Sequence, residues 1–370
     1  MFVFFPKHVS VLGHKIYNMI LHNQLWIYMK TMKVAMYYNN NDVRIEEMPI
    51  PTIGDDELLV KVKASGICGS DVMEWYRIKK APKVLGHEIT GDIVEVGRNV
   101  QNYKVGDRVF VSHHVPCNTC QFCLHNQQTL CHTLHSTNFH PGGFAEYLRV
   151  PEINVDRGVF VLPKEMSYEE GVFIEPLACV VRGLRRAELK PRQSVLVIGS
   201  GISGLLQIKL ARAWCAGKIF ATDIEEFRLK AAQRYGADGV INARDAVPEQ
   251  VKKQNNGMLA DLVILCTGAL PAVQQAVKSV ESGGTILFFA PTEPDIDIPF
   301  PLFELWNKQV TMVSTYAGSP RDINDAIELI RSKKVIVTDM ISHTLPLSEA
   351  AKGFQLVAKA QDSIKVILRP

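Results

Sequence analysis

The stretch CNTCQFCLHNQQTLC, Cys117 to Cys131, places four of the chain's eight cysteines within fifteen residues. Such a cluster suits a disulfide knot, a redox motif or a metal site. The spacing is C-x2-C-x2-C-x7-C, through Cys117, Cys120, Cys123 and Cys131. Four thiolates this close suit tetrahedral Zn²⁺, with metal–sulfur bonds of about 2.3 Å and no open position. A closed site of that kind staples a lobe that lacks regular structure of its own. An iron–sulfur cluster usually carries a proline directly after its last cysteine, and here His132 follows. The other four cysteines, Cys68, Cys179, Cys215 and Cys266, lie far apart in apolar surroundings. That is not the pattern of a small secreted scaffold. It points to a reducing, cytoplasmic protein, in which clustered thiols are metal ligands.

Upstream lie CGSD, Cys68 to Asp71, and GHE, Gly86 to Glu88. A thiol, an imidazole and a carboxylate can hold Zn²⁺ while leaving a fourth position for water or substrate. Taken singly, a cysteine or histidine is usually just packed. IEPLAC adds a second acid, Glu175, in an apolar stretch where an unpaired carboxylate is costly to bury. A metal relieves that cost.

GSGISG, Gly199 to Gly204, fits G-x-G-x-x-G. It directly follows the apolar run SVLVI and opens a helical pattern. Gly199 allows the tight turn, Gly201 lets the backbone approach a pyrophosphate, and Gly204 lets helix pack closely on strand. The helix N-terminus adds N–H donors and a positive dipole end. Asp223, ending KIFATD nineteen residues beyond Gly204, is placed for the adenosine ribose hydroxyls. It repels a 2′-phosphate, and Ile224, Glu225 and Glu226 offer no arginine to welcome one, which favours NAD over NADP. The bland alternative is a glycine turn used only for packing.

These groups need elements to hold them. From Met32 to about Arg182, short runs such as ELLVKVKASGIC, EITGDIVEVG and GGFAEYLRVP alternate or cluster β-branched residues between Gly, Pro and Asn. This half reads as β-rich. After Pro191, strand and helix patterns alternate through KIFATD, EEFRLKAAQRYGA, DLVILCTG and GTILFFA, which argues for a parallel sheet with crossover helices. DINDAIELIRSKK reads as a helix, and the tail ISHTLPLSEAAKGFQLVAKAQDSIKVILRP reads strand, helix, strand. Residues 1–31 fit badly with the more regular sequence that begins at Met32, and read as an extension from an upstream start codon rather than a membrane-surface anchor. They contain no 18-residue apolar run and no small-residue cleavage site. The 370 residues suggest two domains, with 47% hydrophobic and 21% charged residues and a formal charge of +3. Lys and Arg are scattered, and the Cys117–Cys131 loop has neither, so no nucleic acid or membrane partner is expected.

CGSD, GHE, the four-cysteine lobe, EPLA, GSGISG and Asp223, in this order, resemble the zinc-dependent medium-chain dehydrogenases over nearly all of 32–370. The polyol branch, with the sorbitol (L-iditol) and threonine dehydrogenases, is the most similar. The resemblance implies an α/β fold with a doubly wound Rossmann sheet and a β-rich, GroES-like catalytic domain carrying the zinc-stapled lobe. It implies a catalytic domain at 32–182, an NAD-binding domain at 183–315, and a segment, 316–370, that returns to the catalytic domain. It also implies one catalytic and one structural zinc per subunit. Cys68 and His87 match metal ligands, Glu175 matches the third-ligand position, and Glu88 matches an acid that binds the metal directly or exchanges with Glu175. Asp71 matches the acid that orients the ligand histidine, and Ser70 the hydroxyl that takes the substrate proton. Gly199, Gly201, Ile202, Gly204, Asp223 and Arg228 form the implied cofactor-binding set. The implied reaction passes hydride between a secondary alcohol of a polyol or sugar derivative and NAD, in a homotetramer. L-Threonine 3-dehydrogenase is the alternative activity. A non-catalytic dinucleotide-binding protein with a structural zinc is the alternative of another class.

Two departures bear on the substrate. Met73 stands where the polyol and threonine enzymes usually carry a histidine, and the interval from Cys68 to His87 is short, trimming the loop over the pocket. His113, His114 and His140 flank the four-cysteine lobe and read as partly buried loop histidines rather than further ligands.

Overall fold

Runs that are apolar throughout, rather than alternating, become strands covered on both faces. Val195–Ile198 and Ile219–Asp223 are buried at every position. They lie inside a six-stranded parallel sheet of the computed structural model, which describes residues 30–370. The strand order is Gly239–Asn242, Ile219–Asp223, Val195–Ile198, Ala260–Leu265, Val280–Phe288, Thr311–Ser314. This is the doubly wound order, third-second-first-fourth-fifth-sixth. Ligands dock outside the carboxyl ends of such strands, where the order reverses. That reversal lies between Val195–Ile198 and Ala260–Leu265, and the glycine loop rises from the first of these.

The other half is built on a mixed, mostly antiparallel seven-stranded sheet. Leu58–Ile67 and Glu88–Val96 run side by side at its centre, with Arg108–Val111 and Val159–Val161 beyond. The last strand, Lys365–Arg369, pairs antiparallel with Leu58–Ile67, so the C-terminal segment completes this sheet. Gly66 faces Glu88 on one side and Ile367 on the other. The register therefore brings the Cys68 end of one strand, the Glu88 start of another and Lys365 to one place. A Cβ at Gly66 would meet the Lys365 stem at 2.8 Å and collide with the Glu88 carboxylate.

The helix Ile174–Arg186 begins with the residue before Glu175 and buries nine of its residues. It packs on the helix Pro320–Arg331 across a charged seam. Asp322, 1% exposed, accepts from the Ser319 hydroxyl at 2.6 Å, pairs with Arg185 and lies 3.8 Å from Arg182. Removing one member of a buried charge network strands the others. Asp322→Ala is therefore expected to lower unfolding free energy by about 3 kcal/mol, read as a shifted urea midpoint. An unchanged midpoint would mean that the seam adds nothing.

The expected extension 1–31 falls almost wholly outside the described residues; the strand Thr31–Asn39 starts one residue ahead of Met32. Among the described residues, no helix is long and apolar enough to cross a membrane.

Candidate active site

CGSD folds as a one-turn 3-10 helix, Gly69–Val72, capped by Cys68. The Cys68 sulfur accepts from the Ser70 N–H at 3.5 Å, and Asp71 Oδ2 accepts from the Cys68 N–H at 3.0 Å. This reciprocal cap turns the thiol and Asp71 toward the start of Glu88–Val96. There the ligand atoms of Cys68, His87 and Glu88 all lie within 4.8 Å of one another. Asp71 is fully buried behind them, its Oδ1 3.4 Å from His87 Nδ1. Burial alone would discharge His87, but Asp71 and the Cys68 sulfur on either side hold its pKa well above the usual range. A ring flanked by a buried carboxylate and a sulfur is a place for positive charge, whether proton or Zn²⁺. Burial likewise pushes the Asp71 carboxyl up, and His87 with Arg77 more than reverses that, leaving it lowered.

Glu175 is not part of the close group but shares the cleft. Burial raises its carboxyl pKa, with Glu88 adding to the rise and His87 opposing it, and Cys179 Sγ lies 3.5 Å from its Oε1. Two carboxylates facing one thiolate would repel each other; a divalent cation bound by Cys68, His87 and one of the acids removes that repulsion. The donor set, one sulfur, one nitrogen and an oxygen, fits catalytic zinc with an open position.

Lys365, 0% exposed, forms an ion pair with Glu88. It is not among the site residues expected from the sequence, although its signal is there. A lysine within SIKVILR, flanked by apolar residues in a strand, needs a buried carboxylate.

The four-cysteine lobe holds its sulfurs at metal-binding separations. Cys120 and Cys123 Sγ are 3.6 Å apart, and Cys117 and Cys123 Sγ are 4.0 Å apart. Tetrahedral zinc with bonds of about 2.3 Å places its sulfurs about 3.8 Å apart, whereas a disulfide needs about 2.05 Å. All eight cysteines are free thiols. Hydrogen bonds from the Thr119 hydroxyl and N–H and from the Cys120 N–H hold the Cys117 thiol down at about 5. Burial, then its thiol neighbours, push Cys123 up to about 12. Four thiolates in one place require a cation, and the chemistry of the set fits structural zinc.

The glycine loop has the tight turn and the close helix–strand approach expected of it. Gly199 has φ +93°, and a Cβ at Gly204 would strike the Gly199 carbonyl. Gly201 caps the helix Ile202–Ala213, whose first residue packs on the core. Asp223 ends its strand with Oδ2 accepting from the Ser200 N–H at 2.8 Å and Oδ1 from the Glu225 N–H at 3.0 Å. Arg228 lies over the loop, its guanidinium 3.6 Å from where a Gly201 Cβ would be. Asp223→Asn is expected to narrow the preference for NAD over NADP by about a hundredfold, or about 2.7 kcal/mol, in paired kcat/KM measurements. An unchanged ratio would remove Asp223 from cofactor choice.

His113 and His114 are the partly buried loop histidines read in the sequence, and neither joins a metal-ligand group among the described residues. They follow the strand Arg108–Val111 and line a cavity with Glu175. The His113 ring is 4.9 Å from His87 and 3.8 Å from His114. With Ser112, Glu175, Ala178 and Ala317 they line a cavity of about 10 Å³. Burial holds both neutral, His113 well below the usual range and His114 at about 3. His140 instead sits in a bridge to Arg149. Tyr316, also unforeseen, stacks on His135 of the cysteine lobe at 5.0 Å and lies 6.1 Å from His114. Met73 only closes the CGSD turn as its C-cap.

Comparison with known proteins agrees with this architecture. A model of the alcohol dehydrogenase GroES-like domain matches residues 54–161, and one of the zinc-binding dehydrogenases matches 203–332. A probable D-xylulose reductase A of Aspergillus clavatus is 35% identical over 342 residues, 89% of this chain and 94% of that protein. The sorbitol dehydrogenase of Bacillus subtilis is 33% identical over 356 residues, 92% and 98% of the two chains. Among solved structures, the alcohol dehydrogenase TADH from Thermus sp. ATN1 superposes with a TM-score of 0.82 at 30% identity, covering 91% of this chain and 99% of that one. With both halves matched in chain order, and with both metal-ligand clusters assembled, the chain belongs to the zinc-binding medium-chain dehydrogenases, as an NAD-dependent enzyme close to the polyol dehydrogenases.

Proposed function

We propose that the chain reversibly oxidises a secondary alcohol of a polyol or sugar derivative, at a centre formed by Cys68, His87 and one of the acids Glu88 and Glu175. The observation that carries this is the close group of Cys68, His87 and Glu88, backed by Asp71. Bound zinc supplies an electrophile that acidifies the substrate hydroxyl, and NAD supplies the hydride acceptor. Ser70 takes the hydroxyl proton. Asp71 holds His87 by Nδ1, leaving Nε2 for the ligand position. Lys365 balances the charge of Glu88, so that this acid and Glu175 are not equivalent. His113, His114 and Tyr316 form the polar wall a polyol would meet. The division into 32–182, 183–315 and 316–370 belongs to the same reading and is supported by the return of Lys365–Arg369 to the first sheet. So does a cytoplasmic location, with every thiol free.

The test is a panel of sorbitol, iditol, xylitol and L-threonine with NAD and NADP, following absorbance of the reduced cofactor. Polyol turnover with NAD is expected. Turnover of L-threonine alone would move the assignment to threonine dehydrogenase. No turnover of any secondary alcohol by protein with both zinc sites filled would sink the reading.

Self-association, with the homotetramer as the expected state, is supported by one surface. Leu302, Phe303 and Trp306, each more than 70% exposed, sit on the helix Leu302–Asn307. The chain then enters Thr311–Ser314, an edge strand of the parallel sheet. Exposed apolar groups and an edge strand invite a second copy. Trp306→Glu is expected to lower the mass found by light scattering to that of a smaller assembly. Wild-type protein that is already monomeric would end this proposal.

A further inference from the structure

Beyond its charge near Asp71, Arg77 has had no part in the chemistry so far. It ends the short helix Glu74–Arg77, within the trimmed interval between Cys68 and His87. From there its guanidinium folds back onto the CGSD turn. Nε donates to the Ser70 carbonyl at 2.9 Å, and Nη2 donates to Ser70 Oγ at 3.0 Å and, more distantly, to Asp71 Oδ1 at 3.4 Å. The side chain is 16% exposed, with the guanidinium carbon 4.8 Å from the Tyr76 ring. Asp71 already has the Cys68 N–H and the His87 ring as partners. The two shorter Arg77 contacts both go to Ser70, whose hydroxyl must change partners during the reaction.

We propose that Arg77 is a positioning residue that sets the direction of the Ser70 hydroxyl; this rests on Ser70 taking the substrate proton. A hydroxyl has one donor and two acceptor positions, and a guanidinium is always charged and only donates. Arg77 therefore fills one acceptor position of Ser70 throughout turnover. The other is left for the substrate O–H, and the Ser70 proton points onward into the cleft. In oxidation the substrate O–H bond breaks as its proton joins Ser70 Oγ. The original Ser70 O–H breaks as its proton passes to water, and the carbinol hydride leaves with its electron pair for NAD. The products are ketone, NADH and one proton. Without Arg77 the hydroxyl spreads over its three staggered orientations, only some of which accept from the substrate.

The test is a double-mutant cycle on the intact enzyme, with zinc content and NADH affinity measured for every variant. Arg77→Met keeps the apolar stem on Tyr76. It is expected to lower kcat by about 30-fold, a share of the 10²–10⁴ usual for a positioned proton acceptor, with KM and NADH affinity changed by less than about twofold. Arg77→Lys is expected to restore part of the loss. In a Ser70→Ala background, Arg77→Met is expected to cost less than about twofold, because the group it acts through is gone. An equal cost in both backgrounds, or loss of zinc in Arg77→Met, would place its action on Asp71 or the fold and overturn the proposal. Wild-type kcat in Arg77→Met with an impaired Ser70→Ala overturns it alone, whereas wild-type kcat in Ser70→Ala removes the proton-acceptor reading as well. Should Arg77→Met fail to fold, Arg77→Lys in both backgrounds completes the same cycle.

Discussion

Cys68→Ser is expected to leave a folded protein that binds NADH normally but has lost turnover by about a thousandfold or more. Thiolate is the ligand form of cysteine, whereas a serine oxygen at this position stays protonated and is shorter. The catalytic metal is then held by His87 and a carboxylate alone, and dissociates. Charge stabilisation of several kcal/mol is lost, and about 4 kcal/mol already corresponds to about 10³ in rate. Binding of NADH survives because the glycine loop rises from a different sheet, at Val195–Ile198. Three readouts check this together: turnover, zinc content falling to the four-cysteine site alone, and NADH fluorescence titration. Wild-type-like turnover in Cys68→Ser would exclude a catalytic metal at this place, whatever the family.

The second large effect falls on stability. The four-cysteine lobe contains a buried apolar group of only Cys123, Cys131 and Leu134. Its regular structure is two short helices, Gln121–Leu124 and His132–Ser136, and one 3-10 turn, Gln128–Leu130. Helices this short do not stand alone in water, so the metal–thiolate bonds hold the lobe. Structural zinc contributes apparent free energies of about 10–16 kcal/mol in small zinc-finger peptides at neutral pH. Cys120→Ser is expected to release one zinc per subunit and lower Tm by about 10 °C, at about 2–4 °C per kcal/mol for large domains. Below the new Tm, kcat should stay within a few-fold of wild type. It should fall as the lobe opens, because Ala317 packs against the thiols and Tyr316 stacks on His135. A normal melting curve for Cys120→Ser would refute the stapling role.

What the sequence carried was local in kind. The cysteine spacing within one loop and G-x-G-x-x-G after an apolar run are each set by neighbours a few residues apart. Covalent connection alone brings their groups together. The alternation of strand and helix patterns likewise foretold a parallel sheet, because each element's period depends on its own residues. CGSD is local too: its cap ties Cys68 to Asp71 within four residues.

The partners of Lys365, His113, His114, Tyr316 and Arg77 were legible only in three dimensions. Lys365 reaches Glu88 across 277 residues of chain, through a strand register that no single segment encodes. His113 and His114 stand beside His87 and Glu175, which come from other segments of the chain. The relation of Glu88 to Glu175 is likewise a matter of which cations and thiols surround each one. The sequence by itself determined the donor types, their spacing within each turn, and hence the metal and cofactor chemistry. Tertiary structure alone decided which distant charges face that chemistry, because burial and pairing depend on what the rest of the chain lays against a group, and that is fixed only when the sheets close.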